Sequence, residues 1–167
     1  MEILFIRHAI AEEREVFHSP HPKSDALRPL TEQGEKKFRK AAQGLHKIFG
    51  APHLIVSSPY KRALQTAQIF ANLYNNMEIS QTELLTPEKK PDLFINWIET
   101  QEKFYERIVV VGHEPHLSHL ISFALTGNAG AFINVKKGSA ILLNYENKRY
   151  MLQWALKPNQ LRLLAEC

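Results

Sequence analysis

The chain has 167 residues, of which 44% are hydrophobic and 23% are charged, an ordinary globular composition, and its length predicts a single domain over residues 1–167. The net charge is +4, but the basic residues are scattered and lack interleaved aromatic residues, which favours a solvated surface over a nucleic-acid site. The single cysteine is Cys167, which excludes a disulfide framework. No apolar run approaches the roughly 20 residues that cross a bilayer, and Met1 opens into a predicted strand without a signal-peptide pattern. Together these features predict a cytoplasmic protein.

The first predicted element is a buried strand over residues 2–6, because E-I-L-F-I is the short apolar run of a strand covered on both faces. Arg7 and His8 follow it directly, and they are a permanent cation and a side chain that can act as a nucleophile near neutral pH. Ligands of open α/β sheets bind beyond the carboxyl ends of the strands, so we expect this pair in a cleft. Residues 11–30 are charged, contain three prolines and predict a long loop.

Helix-like and strand-like stretches alternate along the rest of the chain. The predicted helices cover residues 32–48, 58–74, 91–103 and 115–125. The predicted strands cover residues 53–57, 78–82, 107–112, 140–145 and 149–156, and the last two form an antiparallel hairpin. This order predicts a three-layer α/β/α sandwich with a mainly parallel sheet and an antiparallel C-terminal strand or hairpin.

Local signals support three of these helices. Thr31 is a suitable N-cap for the first helix, and Ser58–Pro59 has the pattern of an N-cap followed by a proline at the first helical position of the second. In the third helix, Leu93, Trp97 and Ile98 are spaced so that they share one face.

Two further residues fall where they can join Arg7 and His8. His113 directly follows the strand at 107–112, and Arg62 lies in the first turn of the helix that follows residues 53–57. A cation is disfavoured at a helix N-terminus unless an anion sits there, and helix N-termini bind phosphate well. Arg62 therefore either binds a phosphoryl group together with Arg7 or is an exposed arginine without a partner, and the local pattern leaves both readings open.

Four motifs in order along the chain resemble those of the histidine phosphatase superfamily, whose fold is shared with phosphoglycerate mutases. They are R-H-A at 7–9, R-P-L-T-x-x-G at 28–34, S-S-P-Y-K-R-A-x-Q-T at 57–66 and V-G-H-E-P at 111–115. The R-P-L-T-x-x-G motif, the short length and the W-x-L-x-P ending at 154–158 are similar to the SixA-type phosphohistidine phosphatase branch. Ala9 departs from the usual glycine of the superfamily, so residue 9 is expected to need no positive φ.

The resemblance implies a mechanism and its residues. His8 would attack phosphorus to give a phosphohistidine intermediate, while Arg7, Arg62 and His113 would bind the phosphoryl oxygens and stabilise the transferring group. Water would then hydrolyse the intermediate without a metal or any other cofactor. The partner implied is a phosphohistidine-bearing protein, and the enzyme is expected to be a monomer that binds neither nucleic acid nor membrane.

The proton donor stays open at this point. Glu83 resembles the acidic residue of the mutase branch, Glu114 stands where the acid phosphatase branch has an aspartate, and an imidazole leaving group needs no strong acid. Arg28 either contacts substrate or fixes the loop at 11–30, and Ser57 either contacts phosphate or simply ends its strand.

His113 also belongs to an H-x-x-H-x-x-H pattern that could suggest zinc. We interpret its other two members, His116 and His119, as surface residues of a helix, because His113 already has a role at the phosphate.

The leading hypothesis is therefore a phosphatase that acts on phosphohistidine of a signalling or phosphocarrier protein. One alternative is a phosphatase of the same superfamily that hydrolyses a small phosphate monoester, for which Glu83 would be essential as a proton donor. The other alternative belongs to a different class, a phosphoprotein-binding regulatory module, which would have no need of a nucleophile.

Overall fold

A six-stranded sheet runs through the protein, and its first four strands in sequence are parallel. The computed structural model describes residues 1–19, 24–130 and 132–166; two of the three prolines expected in the loop at 11–30, and Cys167, lie outside this range. The strands are β1 (Glu2–Arg7), β2 (Leu54–Ser57), β3 (Ile79–Gln81), β4 (Arg107–Gly112), β5 (Ala140–Glu146) and β6 (Arg149–Leu156). Their order is β3-β2-β4-β1-β5-β6, with β5 and β6 antiparallel to their neighbours, as predicted.

Helices cover both faces of this sheet. They are α1 (Arg14–His18), α2 (Glu32–Ile48), α3 (Lys61–Ala71), α4 (Pro91–Thr100), α5 (His116–Thr126) and α6 (Pro158–Leu164). Leu4 and Ile6 face a core that includes residues of α2, α3 and α6, whereas Ile3 and Phe5 face a core that includes residues of α4 and α5. The α/β/α sandwich is therefore confirmed. Within the described residues, no helix is both long and apolar enough to cross a bilayer.

The register of the strands places the carboxyl ends of β1, β2 and β4 side by side at one edge of the sheet. Arg7 of β1 pairs with Gly112 of β4, and Ser57 of β2 pairs with Val111. The residues that follow are fixed by backbone hydrogen bonds: the amide of His8 donates to Gly112 O at 3.0 Å, and that of Ser58 donates to Val111 O at 3.0 Å. His8, Ser58 and His113 consequently leave the sheet side by side at its carboxyl edge.

Gly34 explains part of the second motif. The hydroxyl of Thr31 accepts a hydrogen bond from Gly34 N at 2.9 Å, which confirms Thr31 as the N-cap of α2. A Cβ atom on residue 34 would lie 2.1 Å from the carbonyl oxygen of Ile10, so only glycine lets α2 approach the segment that leaves β1.

The predicted helix over 58–74 is shorter than expected. Its N-cap is Tyr60 and α3 begins at Lys61; the Ser58 hydroxyl makes its shorter contact with His113 Nε2, at 2.7 Å, and accepts from Tyr60 N at 3.4 Å. After Ala71 the chain continues as a 3₁₀ turn over Asn72–Tyr74.

Two predictions about the helix over 91–103, its length and its buried face, were partly wrong. The helix expected over 91–103 ends at Thr100, where a 3₁₀ turn over Gln101–Lys103 follows. Leu93 does not share the buried face with Ile98, since it is 45% exposed, and Phe94 takes its place in the core.

The segment at 11–30 holds more structure than the predicted loop. It contains α1, a 3₁₀ turn over Asp25–Leu27, and a bridge between Ala11 and Leu30. Helix α6, which the sequence reading did not predict, starts with Pro158 at its first turn and packs against α2.

Candidate active site

His8 lies at the end of β1 and is 4% exposed. Its Nδ1 is 2.7 Å from the carbonyl oxygen of Ala9, and because a carbonyl only accepts, Nδ1 carries the proton. Burial lowers the pKa of His8 to about 3; the hydrogen bond to Ala9 opposes this effect, and the charge of Arg62 adds to it. At neutral pH the ring is therefore neutral and Nε2 is unprotonated, which is the state that a nucleophile needs, while its lone pair accepts a hydrogen bond from Arg62 Nε.

Arg62 faces His8 across the edge of the sheet. It is the second residue of α3 and is 2% exposed, and its Nε lies 3.3 Å from His8 Nε2. Its outer nitrogens bind Asp25, with Nη1 2.8 Å from the backbone oxygen and Nη2 3.0 Å from Oδ2. Of the two interpretations left open by the sequence, an exposed arginine without a partner is wrong.

Arg7 and His113 each present a buried nitrogen beside His8. Arg7 Nη1 donates to Val135 O at 2.7 Å, and His113 Nε2 is 2.7 Å from the Ser58 hydroxyl, while the His113 and His8 rings are 5.2 Å apart. Arg7 Nε and His113 Nδ1 are buried and have no hydrogen-bond partner within the described residues. Buried polar atoms are normally paired, so these two nitrogens could bind the oxygens of an anion.

The pKa of His113 is lowered to about 2, first by burial and then by the neighbouring His8 and Arg62. The two histidines of the site are thus neutral while the arginines supply its positive charge. Such a site can bind a phosphoryl group and attack it from an uncharged nitrogen.

Asp25 is the residue that sequence reasoning missed. Its carboxylate accepts from Arg28 Nε at 2.8 Å and lies 3.3 Å from Arg14 Nε, in addition to its contact with Arg62. A signal was present in the sequence, because a cation in the first turn of a helix needs an anion nearby; only phosphate was considered for that position.

Arg28 and Ser57 bond within their own segments. Arg28 Nη1 donates to Glu12 O at 2.6 Å, so this side chain fixes the segment at 11–30. The Ser57 hydroxyl donates to the backbone oxygen of Ser58 at 2.9 Å. Substrate contacts by Arg28 and Ser57 remain predictions.

The two candidate proton donors differ in their surroundings. Glu83 is exposed, whereas Glu114 is half-buried and its Oε2 accepts from the Ser118 hydroxyl at 2.6 Å. Burial raises the pKa of Glu114, against the opposing effects of Ser118 and Arg7.

His116 is buried and not on the surface as predicted, because the first turn of α5 packs against the core. Across residues 1–19, 24–130 and 132–166, no three potential ligands gather as a metal site would require. The zinc pattern of the sequence therefore does not become a cluster there.

The chain is similar in sequence to known proteins. A family model described as the histidine phosphatase superfamily, branch 1, matches residues 3–86. An uncharacterized protein of Picosynechococcus sp. is 32% identical over 142 residues, which cover 84% of this chain and 83% of that protein.

Two solved structures share the fold. The protein histidine phosphatase SixA, complexed with tungstate, has a TM-score of 0.83 at 20% identity, covering 96% of this chain and 99% of that chain. The alpha-ribazole phosphatase of Shigella flexneri has a TM-score of 0.73 at 17% identity, covering 95% and 97%. The fold expected from the four motifs is confirmed, while the two neighbours carry the names of phosphatases with different substrates.

Proposed function

Since this chain belongs to the histidine phosphatase superfamily, branch 1, it is a phosphatase, and we propose that it removes phosphate from phosphohistidine on a protein. The observation that carries the proposal is a contrast between His8 and the candidate acids. His8 is buried and neutral, whereas of the two candidate acids for an ester substrate Glu83 is exposed and Glu114 is bonded to the Ser118 hydroxyl. This arrangement suits a leaving group that departs without a strong acid.

In the first step His8 Nε2 attacks phosphorus as the bond between phosphorus and the substrate imidazole breaks. The substrate ring holds a proton on its other nitrogen and leaves as neutral imidazole, so no acid has to supply one. The His8 ring becomes positively charged, and its Nδ1–H remains bonded to Ala9 O, which stabilises that charge. Arg62 Nε, Arg7 Nε and His113 Nδ1 bind the phosphoryl oxygens.

In the second step water attacks phosphorus and the bond to His8 Nε2 breaks. The electron pair returns to Nε2, and the protons of the water leave with inorganic phosphate. Positive charge from the two arginines takes the part that a metal plays in other phosphoryl-transfer sites, so no cofactor is required.

The short connection between β2 and β3 supports a protein substrate. It contains only α3 and the 3₁₀ turn over Asn72–Tyr74. No additional helix from this connection is available to close over a small ligand, and a histidine that protrudes from a partner could approach the sheet edge directly.

The test compares a histidine-phosphorylated carrier protein with phosphoserine and p-nitrophenyl phosphate. We expect the phosphohistidine to be hydrolysed at least about 100-fold faster in kcat/KM, and Glu83→Gln to change that value by less than about twofold, because the imidazole leaves without an added proton. Equal rates on all three substrates, or loss of phosphohistidine hydrolysis in Glu83→Gln, would favour the small monoester phosphatase instead.

His8→Ala separates enzyme from binding module. The proposal requires this variant to lose turnover by at least about a thousandfold, since the covalent route disappears. A variant that binds the phosphoprotein and shows no change in phosphate release would support the regulatory module.

A single domain over residues 1–167, a monomer and a cytoplasmic location stay predictions.

A further inference from the structure

The guanidinium group of Arg62 lies between the carboxylate of Asp25 and the nucleophile, His8. Arg62 directs its Nε to His8 Nε2 at 3.3 Å and its Nη2 to Asp25 Oδ2 at 3.0 Å. The carboxylate is therefore within roughly 9 Å of the attacking nitrogen, a distance over which two charges still interact in a partly buried site.

Asp25 lies on the side of Arg62 that faces solvent. Its side chain is 27% exposed, whereas that of Arg62 is 3% exposed and His8 is 4% exposed. A leaving group that departs from His8 Nε2 towards solvent comes near the carboxylate of Asp25, because Asp25 is the more exposed partner of Arg62.

The charge on this carboxylate is permanent at neutral pH. Partial burial raises the pKa of Asp25, but the hydrogen bond from Arg28 and the charges of Arg62, Arg28 and Arg14 outweigh burial and leave the pKa below its usual value. The backbone oxygen of the same residue also holds Arg62 Nη1 at 2.8 Å. The backbone of residue 25 thus holds one outer nitrogen of Arg62 whatever the charge on the side chain.

We propose that Asp25 is a specificity-determining residue that selects against phosphate groups carried by anionic leaving groups. The three arginines that contact Asp25 attract a negatively charged leaving group, and the carboxylate offsets part of this attraction, whereas its effect on a neutral imidazole or alcohol is small. The inference rests on the proposed function only for the place of the phosphoryl group, at His8 Nε2. It does not depend on phosphohistidine being the substrate.

Two small phosphate esters test this charge effect without phosphohistidine. 3-Phosphoglycerate and glycerol 3-phosphate have similar size and the same phosphate, but only the first carries a carboxylate on the group that would leave. Their dissociation constants can be measured by NMR titration of the histidine ring signals. In Asp25→Asn, which keeps the side-chain oxygen and removes the charge, we expect the ratio of the two constants to shift by about fivefold in favour of 3-phosphoglycerate.

Arg14→Gln provides a second variant on the surface. Arg14 contacts Asp25 and its side chain is 69% exposed, so the substitution should leave the fold intact and reduce the compensation of the carboxylate. We expect the same ratio to shift by about twofold in the opposite direction. Glu166→Gln, which removes an acidic charge that pairs with Lys40 on the outer side of α2, should leave the ratio unchanged.

An unchanged ratio in Asp25→Asn, or a shift of Arg14→Gln towards 3-phosphoglycerate, overturns the proposal. A merely structural role would weaken both esters equally and leave their ratio as it is. Failure of the proposed function would give a different result: the protein would not hydrolyse phosphohistidine, while the ratio of the two dissociation constants would still depend on Asp25.

Discussion

The two halves of the active site are held by different forces. On the sheet side, His8 and His113 leave neighbouring strands whose register fixes them, and both rings are neutral and buried. On the outer side, the 3₁₀ turn over Asp25–Leu27 is held by ion pairs to Arg62 and Arg28, partly in solvent. In the function proposed above, the buried neutral sheet half would carry out the bond chemistry, and the charged half would influence which leaving groups bind.

Arg62 is the residue that joins these halves, so its removal should have the largest effect. We expect Arg62→Ala to lower kcat/KM about a thousandfold, because both the phosphate contact at Nε and the anchor for Asp25 are lost. Steady-state kinetics on the preferred substrate provide the measurement.

Arg62→Lys is the matched control for charge. Lysine keeps the cation but lacks the planar fork that faces His8 and Asp25 at once. We expect it to recover less than a tenth of the wild-type value. Full recovery would mean that Arg62 supplies only charge and that the two halves are not joined through its geometry.

The burial of the histidines in the sheet half can be tested through the dependence of the free energy of unfolding on pH. Burial lowers the pKa of His8, His113 and His116 to about 3, 2 and 4, below the value near 6.5 expected in the unfolded chain. Below pH 6.5 these histidines are protonated in the unfolded state but stay neutral in the folded state. The stability present above pH 6.5 is therefore lost as the pH falls towards 4.

His116 isolates one of these groups because it lies outside the proposed machinery. In His116→Leu, the loss of unfolding free energy between pH 7 and pH 5 should be smaller than in wild type by about 2 kcal/mol, measured by urea denaturation. Wild type and variant should show the same slope between pH 7 and pH 8. Equal losses down to pH 5 would mean that His116 is protonated in the folded protein.

Ser58 should give the smallest of the three effects. Its hydroxyl lies 2.7 Å from His113 Nε2 and fixes that ring within the sheet half. We expect Ser58→Ala to lower kcat/KM about tenfold, since the ring keeps its place but loses a hydrogen bond. Ser122→Ala, another buried serine, on α5, is the control, and an equal response to both substitutions would contradict a positioning role for Ser58.

The same division into halves explains how far the sequence could be read. β1 and β4 were predictable because a strand buried on both faces is a continuous apolar run, and His8 and His113 follow these runs directly. The start of α3 was misread: the hydroxyl of Ser58 makes its shorter contact with His113, a residue 55 positions away, and only a 3.4 Å contact with Tyr60 N. Local capping rules contain no information about such a partner.

The position of Arg62 signals an anion nearby, but the choice of Asp25 was unpredictable for a related reason. It stands in a charged segment without periodicity, and the arginine that it binds across the site is 37 positions further along the chain. Long-range ion pairs depend on the final packing of loops, which neither composition nor periodicity encodes. Arg62, by contrast, could be named as a candidate from its place at a helix start, which favours a nearby anion, although that place alone left an exposed arginine as the alternative.

Trapping of the covalent intermediate tests the account most directly. The protein is mixed with a carrier protein that bears ³²P-labelled phosphohistidine, quenched in alkaline detergent within the first turnover, and digested for peptide mapping. The account predicts label on the peptide that contains His8, stable in alkali and released by acid, and no label in His8→Ala. Label on another residue, or equal labelling of His8→Ala, would contradict His8 as the nucleophile.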